Sequence, residues 1–206
     1  VHPALALALA YVSGSLPFAW IAGQVKGVDL RKQGSGNLGA TNVFRVLGWK
    51  IGLAVFLADA LKGALPVLLL PPRIASARDP VVWALLVAVA AIAGHVRPLF
   101  LGFRKGGKGV ATAAGVFFAL APVPMAVCFA LFVAIVLASG YVSLGSLVSA
   151  ALLPIILLAT LGATSPLFLV SAAIATFVFW THRANIGRLR RGEEHRFGKR
   201  GIRGAP

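Results

Sequence analysis

The sequence predicts an all-α, polytopic integral membrane bundle of about seven transmembrane helices, two of them short, and three observations carry that expectation. Hydrophobic residues make up 59% of the 206 positions and the mean hydropathy is +0.90, well above an ordinary soluble domain. Apolar windows near or above the ~20 residues of a bilayer span recur from end to end. The basic residues behind a net charge of +15 crowd into short segments beside those windows, the pattern of the positive-inside rule rather than of a nucleic-acid binder. The whole chain, 1–206, reads as one integral membrane domain with a basic cytoplasmic tail from about 188.

Spans are expected at about 3 to 25, 49 to 70, 80 to 96, 110 to 138, 142 to 161 and 165 to 181, each bounded by Gly, Pro or charge. The first has no basic segment before it and is long enough to cross, so it reads as a retained helix and not a cleaved signal. The second holds Asp59 and Lys62 at i, i+3 in mid-membrane. A lone charge there costs at least ~2.5 kcal/mol, which favours a structural ion pair over a proton relay. The fourth window's ~29 residues exceed one span and fall short of two, and Pro122 and Pro124 interrupt it. Charge parity decides: only if this window forms two short helices do the basic segments at 104–108 and after His182 lie on one face. The N-terminus is then outside and the tail cytoplasmic. Of 20 Lys and Arg, only Arg73 and Arg78 face outward, while Lys62 lies in the membrane. Cys128, the single cysteine, sits in an apolar run, which excludes an intramolecular disulfide and a Cys-based metal site. The tail from Arg188 to Arg203 reads as a solvated basic segment attracted to anionic lipid.

Three polar clusters fall on the cytoplasmic side. Residues 34–42, Gly-Ser-Gly-Asn-Leu-Gly-Ala-Thr-Asn, with Arg45 a turn further on, can aim backbone N–H groups at one point because glycine adopts the conformations this needs. Residues 102–109, Gly-Phe-Arg-Lys-Gly-Gly-Lys-Gly, begin like a nucleotide P-loop. However, Gly109 stands where Ser or Thr should hold magnesium, and no strand precedes the run. A looser phosphate cradle remains, built from glycine N–H groups, Lys108 and the N-terminus of the helix that follows. The third cluster contains His182 and Asn185, at a spacing that shares a face if the helix continues. The pair could hold hydroxyls of a polar substrate while the imidazole serves as base. The turn carrying Ser143 and Ser146 lies on the same side. Neither His95 nor His182 has the carboxylates or cysteines nearby that a metal would need.

These three blocks together resemble the acyl-phosphate-dependent glycerol-3-phosphate acyltransferases of bacterial membranes. The resemblance covers almost the whole chain: Gly14-Ser15-Leu16-Pro17 with Asp29-Leu30-Arg31 through Arg45, Gly94-His95 with Pro98 through Thr112, and His182 through Leu189 with Gly192 and Glu194. One departure is visible. Where the family pattern reads Phe-Lys-Gly-Gly-Lys-Gly, this chain has both Arg104 and Lys105 between Phe103 and Gly106.

The resemblance implies transfer of a fatty acyl group from acyl phosphate to the 1-hydroxyl of sn-glycerol 3-phosphate at the cytoplasmic face of the bacterial inner membrane, without a cofactor or metal. It gives catalytic roles to His182, Asn185, Ser35 and Arg45, and phosphate binding to Ser35, Gly36, Asn37, Thr41, Asn42, Arg45, Arg104, Lys105, Gly106, Gly107 and Lys108. Ser143 and Ser146 are further candidates, and Glu194, like Asp59 and Lys62, is structural. Two dianionic phosphates must approach one another, so a site this rich in cations and N–H groups suits the reaction. The base is either His182 or a phosphate oxygen of the substrates, and the residues leave both open. Implied partners are the two substrates and membrane lipid, with a soluble acyl-phosphate-producing enzyme as a further candidate and no nucleic acid. An anion or phosphate transporter is the rival reading. It would place polar groups at mid-membrane, where here only Asp59 and Lys62 stand.

Overall fold

The computed structural model describes residues 1–74 and 79–197, and all regular structure among them is helical. The helices are α1 (Pro3–Gly14), α2 (Phe18–Val25), α3 (Ala40–Leu47), α4 (Trp49–Leu69), α5 (Pro80–Val96), α6 (Val110–Leu120), α7 (Pro122–Ser139), α8 (Val142–Leu161), α9 (Pro166–Thr181) and α10 (Arg183–Arg190). Contacts group them into two compact units, Val1–Ala121 and from Pro122 onward. The part of the tail expectation that concerns residues 198–206 lies outside the described residues.

Among the described residues five stretches are long and apolar enough to cross a membrane: Pro3–Val25, Trp49–Arg73, Pro80–Leu101, Pro122–Ser139 and Val142–Leu161. The bent pair α9 and α10 makes a sixth, and α6 is a shorter apolar helix. Two windows differ in detail from the sequence expectation. The first is two helices, not one, because Pro17 has no N–H to continue α1 and disfavours helix at Leu16; Ser15 Oγ donates to the Tyr11 carbonyl at 2.8 Å at the break. The fourth does divide, but at Ala121, and its second half is the 18-residue α7, not a short helix. Pro122 and Pro124 fall in the first turn of α7, where the missing N–H groups had no helical partner to lose.

Helix starts follow local chemistry. Asp79 Oδ1 accepts from Val81 N at 2.9 Å and Val82 N at 3.3 Å, and Pro80 opens α5. Gly48, at φ 87°, provides the turn between α3 and α4.

In the first unit, small residues let helices approach. A side chain at Gly14 or Gly94 would strike the facing α5 or α1 backbone, and one at Gly63 or Gly115 the facing α6 or α4 backbone. Such contacts replace the hydrophobic drive that lipid removes. Leu61, Leu65 and Leu68 remain exposed on α4, as a lipid-facing surface requires. In the second unit, Ser149 Oγ of α8 donates to the Cys128 carbonyl of α7 at 2.9 Å.

Candidate functional site

In the first unit the loop before α3 is built around a buried amide. Asn42, 1% exposed, accepts from Ser35 N at 2.8 Å through Oδ1 and donates through Nδ2 to the carbonyls of Leu30 and Gln33, both at 3.0 Å. Gly34 and Gly36, at φ 59° and 69°, turn the chain over this amide. Both Nδ2 hydrogens are thus committed to the loop, which Asn42 shapes from within. Ser35 stays exposed, and Thr41 and Arg45 share one half-buried face of α3. Asp29 accepts from Arg31 N at 3.1 Å and from Arg31 Nε at 3.0 Å, and these bonds hold its carboxyl below the usual carboxylate range.

The second loop leaves α5 and is tied back to it. Gly106 N donates to the Val96 carbonyl at 2.9 Å, and Phe103 N to the Pro98 carbonyl at 3.0 Å. The loop turns through two successive residues of positive φ, Gly102 at 61° and Phe103 at 58°, the second unusual for a non-glycine residue. Arg104 and Lys105 project from the exposed arm, while Gly106 and Gly107 are buried.

The two loops meet around one cavity of about 260 Å³, lined by Arg31, Gly36, Leu38, Leu101, Arg104, Lys105 and Gly106. Three cations border it, and one of them, Arg31, is paired with Asp29, so the surplus suits a dianion. Of the sequence-stated residues, Gly36, Arg104, Lys105 and Gly106 line this cavity; Ser35, Asn37, Thr41, Arg45, Gly107 and Lys108 lie elsewhere in the two loop segments and α3. Sequence reasoning missed Arg31, Leu38 and Leu101 as lining residues, and Arg31 is the charged one among them. Its signal was a basic side chain three positions before Gly34.

Beneath the loops, Lys62 Nζ lies 2.6 Å from Asp59 Oδ1 and donates at 2.7 Å to the Leu16 carbonyl at the α1–α2 break, which also accepts from Phe18 N at 3.2 Å. It also sits 5.4 Å from the centroid of Phe18. The pair buries two opposite charges that offset each other.

In the second unit a carboxylate organises the third cluster. Glu194, 5% exposed, accepts from Asn185 Nδ2 at 2.7 Å, Ser143 Oγ at 3.1 Å and Arg188 Nε at 2.7 Å. Burial alone would raise its carboxyl, but the bonds from Asn185 and Arg188, the Arg188 charge and the Ser143 bond outweigh this and hold it low. Ser146 Oγ turns back to the Val142 carbonyl at 2.9 Å. His182 ends α9, and the chain bends by 60° into α10, so His182 and Asn185 do not lie on one continuous helix. The His182 Nδ1–H donates to the Val178 carbonyl at 2.8 Å. A carbonyl only accepts, so a neutral ring in this arrangement keeps its lone pair on Nε2. Among the described residues no group of three His, Cys, Asp or Glu could hold a metal ion.

The family model described as glycerol-3-phosphate acyltransferase matches residues 4–192. A glycerol-3-phosphate acyltransferase of Geobacter sulfurreducens is 47% identical over 191 residues, 92% of this chain and 95% of the relative. One of Geobacter metallireducens is 48% identical over 193 residues, covering 94% and 96%. Among solved structures, PlsY (YgiH), an integral membrane glycerol 3-phosphate acyltransferase, matches in its glycerol 3-phosphate form with a TM-score of 0.88 and 38% identity, over 98% of this chain and 99% of that one. Its lysophosphatidic acid form matches with a TM-score of 0.84 over 97% of each chain.

Proposed function

The chain belongs to the glycerol-3-phosphate acyltransferase family, and from that premise we propose that it transfers a fatty acyl group from acyl phosphate to the 1-hydroxyl of sn-glycerol 3-phosphate. The hydroxyl oxygen bonds to the acyl carbon, the acyl–phosphate bond breaks, and lysophosphatidic acid and inorganic phosphate leave. The observation that carries this reading is the cavity where two glycine loops and three cations meet. A cationic, N–H-rich cavity reduces the repulsion between two phosphates that would otherwise keep the reactants apart.

In this reading Arg31, Arg104, Lys105 and the Gly36 and Gly106 backbone hold a phosphate, with Ser35, Asn37, Thr41, Arg45, Gly107 and Lys108 completing the anion contacts. Asn42 contributes by holding the loop in shape. The leaving group is already good, so the protein's task is to orient the hydroxyl and stabilise the carbonyl oxyanion. His182 Nε2 and Asn185 position the glycerol hydroxyls, Ser143 and Ser146 support them, and a substrate phosphate takes the proton. The bond from His182 Nδ1 to a neutral carbonyl favours this division, because a carboxylate there would raise the ring's basicity more.

The basic residues beside the spans support seven crossings of a bacterial inner membrane, with the N-terminus outside and the loops and tail cytoplasmic. Acyl phosphate, glycerol 3-phosphate and membrane lipid are then the partners, and a soluble acyl-phosphate-producing enzyme is the supplier of the donor. Purified protein in lipid vesicles, offered acyl phosphate, acyl-CoA and acyl carrier protein thioesters in competition, is expected to make lysophosphatidic acid from acyl phosphate alone, with one phosphate released per product. Equal use of a thioester would contradict the donor assignment.

A further inference from the structure

Resting on the reading that the second glycine loop helps to hold a substrate phosphate, we propose that His95 is a positioning residue whose imidazole, set by Asp59 and Lys62, forms the floor under Gly106 and Gly107. His95 is 5% exposed in the last turn of α5. Its Nδ1 faces Asp59 Oδ1 at 3.6 Å, the same oxygen that the Lys62 ammonium contacts. Asp59 is itself held by the ion pair with Lys62, which reaches on to the Leu16 carbonyl. A carboxylate fixed in this way sets the orientation of the ring that faces it.

The opposite edge of the ring meets the loop. A Cβ at Gly107 would fall on His95 Nε2 and lie 2.9 Å from the Leu38 carbonyl; a Cβ at Gly106 would fall on the His95 carbonyl and lie 2.8 Å from Pro98 Cγ. Neither glycine has a positive φ. Space therefore requires glycine at these positions, and for Gly107 it is the imidazole that takes up the space. Gly106 also lines the cationic cavity, and it borders, with Asp59, Lys62, His95 and Gly107, a smaller adjoining cavity that shares Leu38 and Leu101 with the first. A shift of the ring would thus move the wall against which the anion rests. The ion pair acts through His95, not on the substrate.

The test uses full-length protein in phospholipid vesicles, with glycerol 3-phosphate varied at saturating acyl phosphate and the melting temperature of each variant recorded. His95→Asn keeps a polar group at the Nδ1 position but removes the edge beneath Gly107. It is expected to raise KM for glycerol 3-phosphate about tenfold while kcat stays within about threefold. His95→Gln, whose amide reaches the Nε2 position, is expected to return KM to within about threefold of wild type. Gly107→Ala is expected to raise KM in the wild type yet add little in the His95→Asn background, where its methyl gains room, so that the two effects do not multiply. An unchanged KM in His95→Asn, a His95→Gln as impaired as His95→Asn, or effects that multiply would overturn the inference. A lowered melting temperature with unchanged KM would do the same by leaving His95 a purely structural role. Should His95→Asn fail to fold, the Gln variant decides: KM within about threefold supports the inference and a tenfold rise overturns it. Inactive wild-type protein would remove the functional reading and this inference with it, whereas active wild type with a flat His95→Asn removes this inference alone.

Discussion

Asn185 Nδ2 donates to Glu194 Oε1 at 2.7 Å, joining α10 to the segment that follows it through a carboxylate that is almost wholly buried. Three donors share that carboxylate, so Glu194→Ala leaves each without its acceptor, although Arg188, 29% exposed, can turn to water. The expected loss is on the order of 2 to 3 kcal/mol, read as a lowered unfolding midpoint, with Glu194→Gln losing less. The carboxyl is held below its unfolded value. Its contribution is therefore fully present above the unfolded pKa of ~4.3 and is lost as pH falls through the lower folded value. A pH series should show this acid-side loss in wild type and a diminished one in Glu194→Gln.

Asn42 is expected to behave as a loop clamp. Asn42→Asp keeps an acceptor for Ser35 N but loses both donations, and Asn42→Ala loses all three bonds, at about 1 to 3 kcal/mol for each buried group left unsatisfied. Trypsin should cut faster after Arg31 and Lys32 in both variants, in the order Ala above Asp above wild type. Equal cutting in all three would show that the loop does not depend on the amide.

His182 separates positioning from base catalysis. Under the positioning role, His182→Gln keeps much of the turnover, His182→Ala mainly raises KM, and the acidic limb of the pH profile persists because it reports phosphate ionisation. A fall of more than about a hundredfold in the Gln variant at saturating substrates, with that limb abolished, would assign the proton to the imidazole.

Topology can be read at Val123, which is 73% exposed in the first turn of α7. In a Cys128→Ala background, Val123→Cys should react with a membrane-impermeant thiol reagent from the outer side. Labelling only from the cytoplasm would reverse the arrangement.

Much of this was legible in residue pattern. Two glycine runs at 34–42 and 102–109 stood out against an apolar chain, and Asp59 and Lys62 at i, i+3 could only be tolerated near one another. Prolines marked the division at Ala121, though not that Pro122 would open α7 instead of interrupting a helix. The break at Leu16 was signalled by Pro17, but an apolar window of span length masked it, since proline is common within membrane helices. What stayed hidden depends on contacts between distant positions. Ser143 meets Glu194 across 51 residues, and His95 meets both α4 and Gly107; no local periodicity encodes either. The role of Asn42 was hidden for another reason: an amide in a glycine-rich run looks the same in sequence whether it binds an anion or its own backbone.

The most direct test of the central claim, that the two glycine loops form one anion site, is a double-mutant cycle between Arg31→Gln and Lys105→Gln, read as kcat/KM for acyl phosphate and for glycerol 3-phosphate. Each single variant is expected to lose about one to two decades for at least one substrate, the scale of a charge-assisted contact. The double variant should lose clearly less than the product, because an anion displaced by the first change gains little from the second cation. Single variants with wild-type kinetics, or losses that multiply within error, would contradict a shared site.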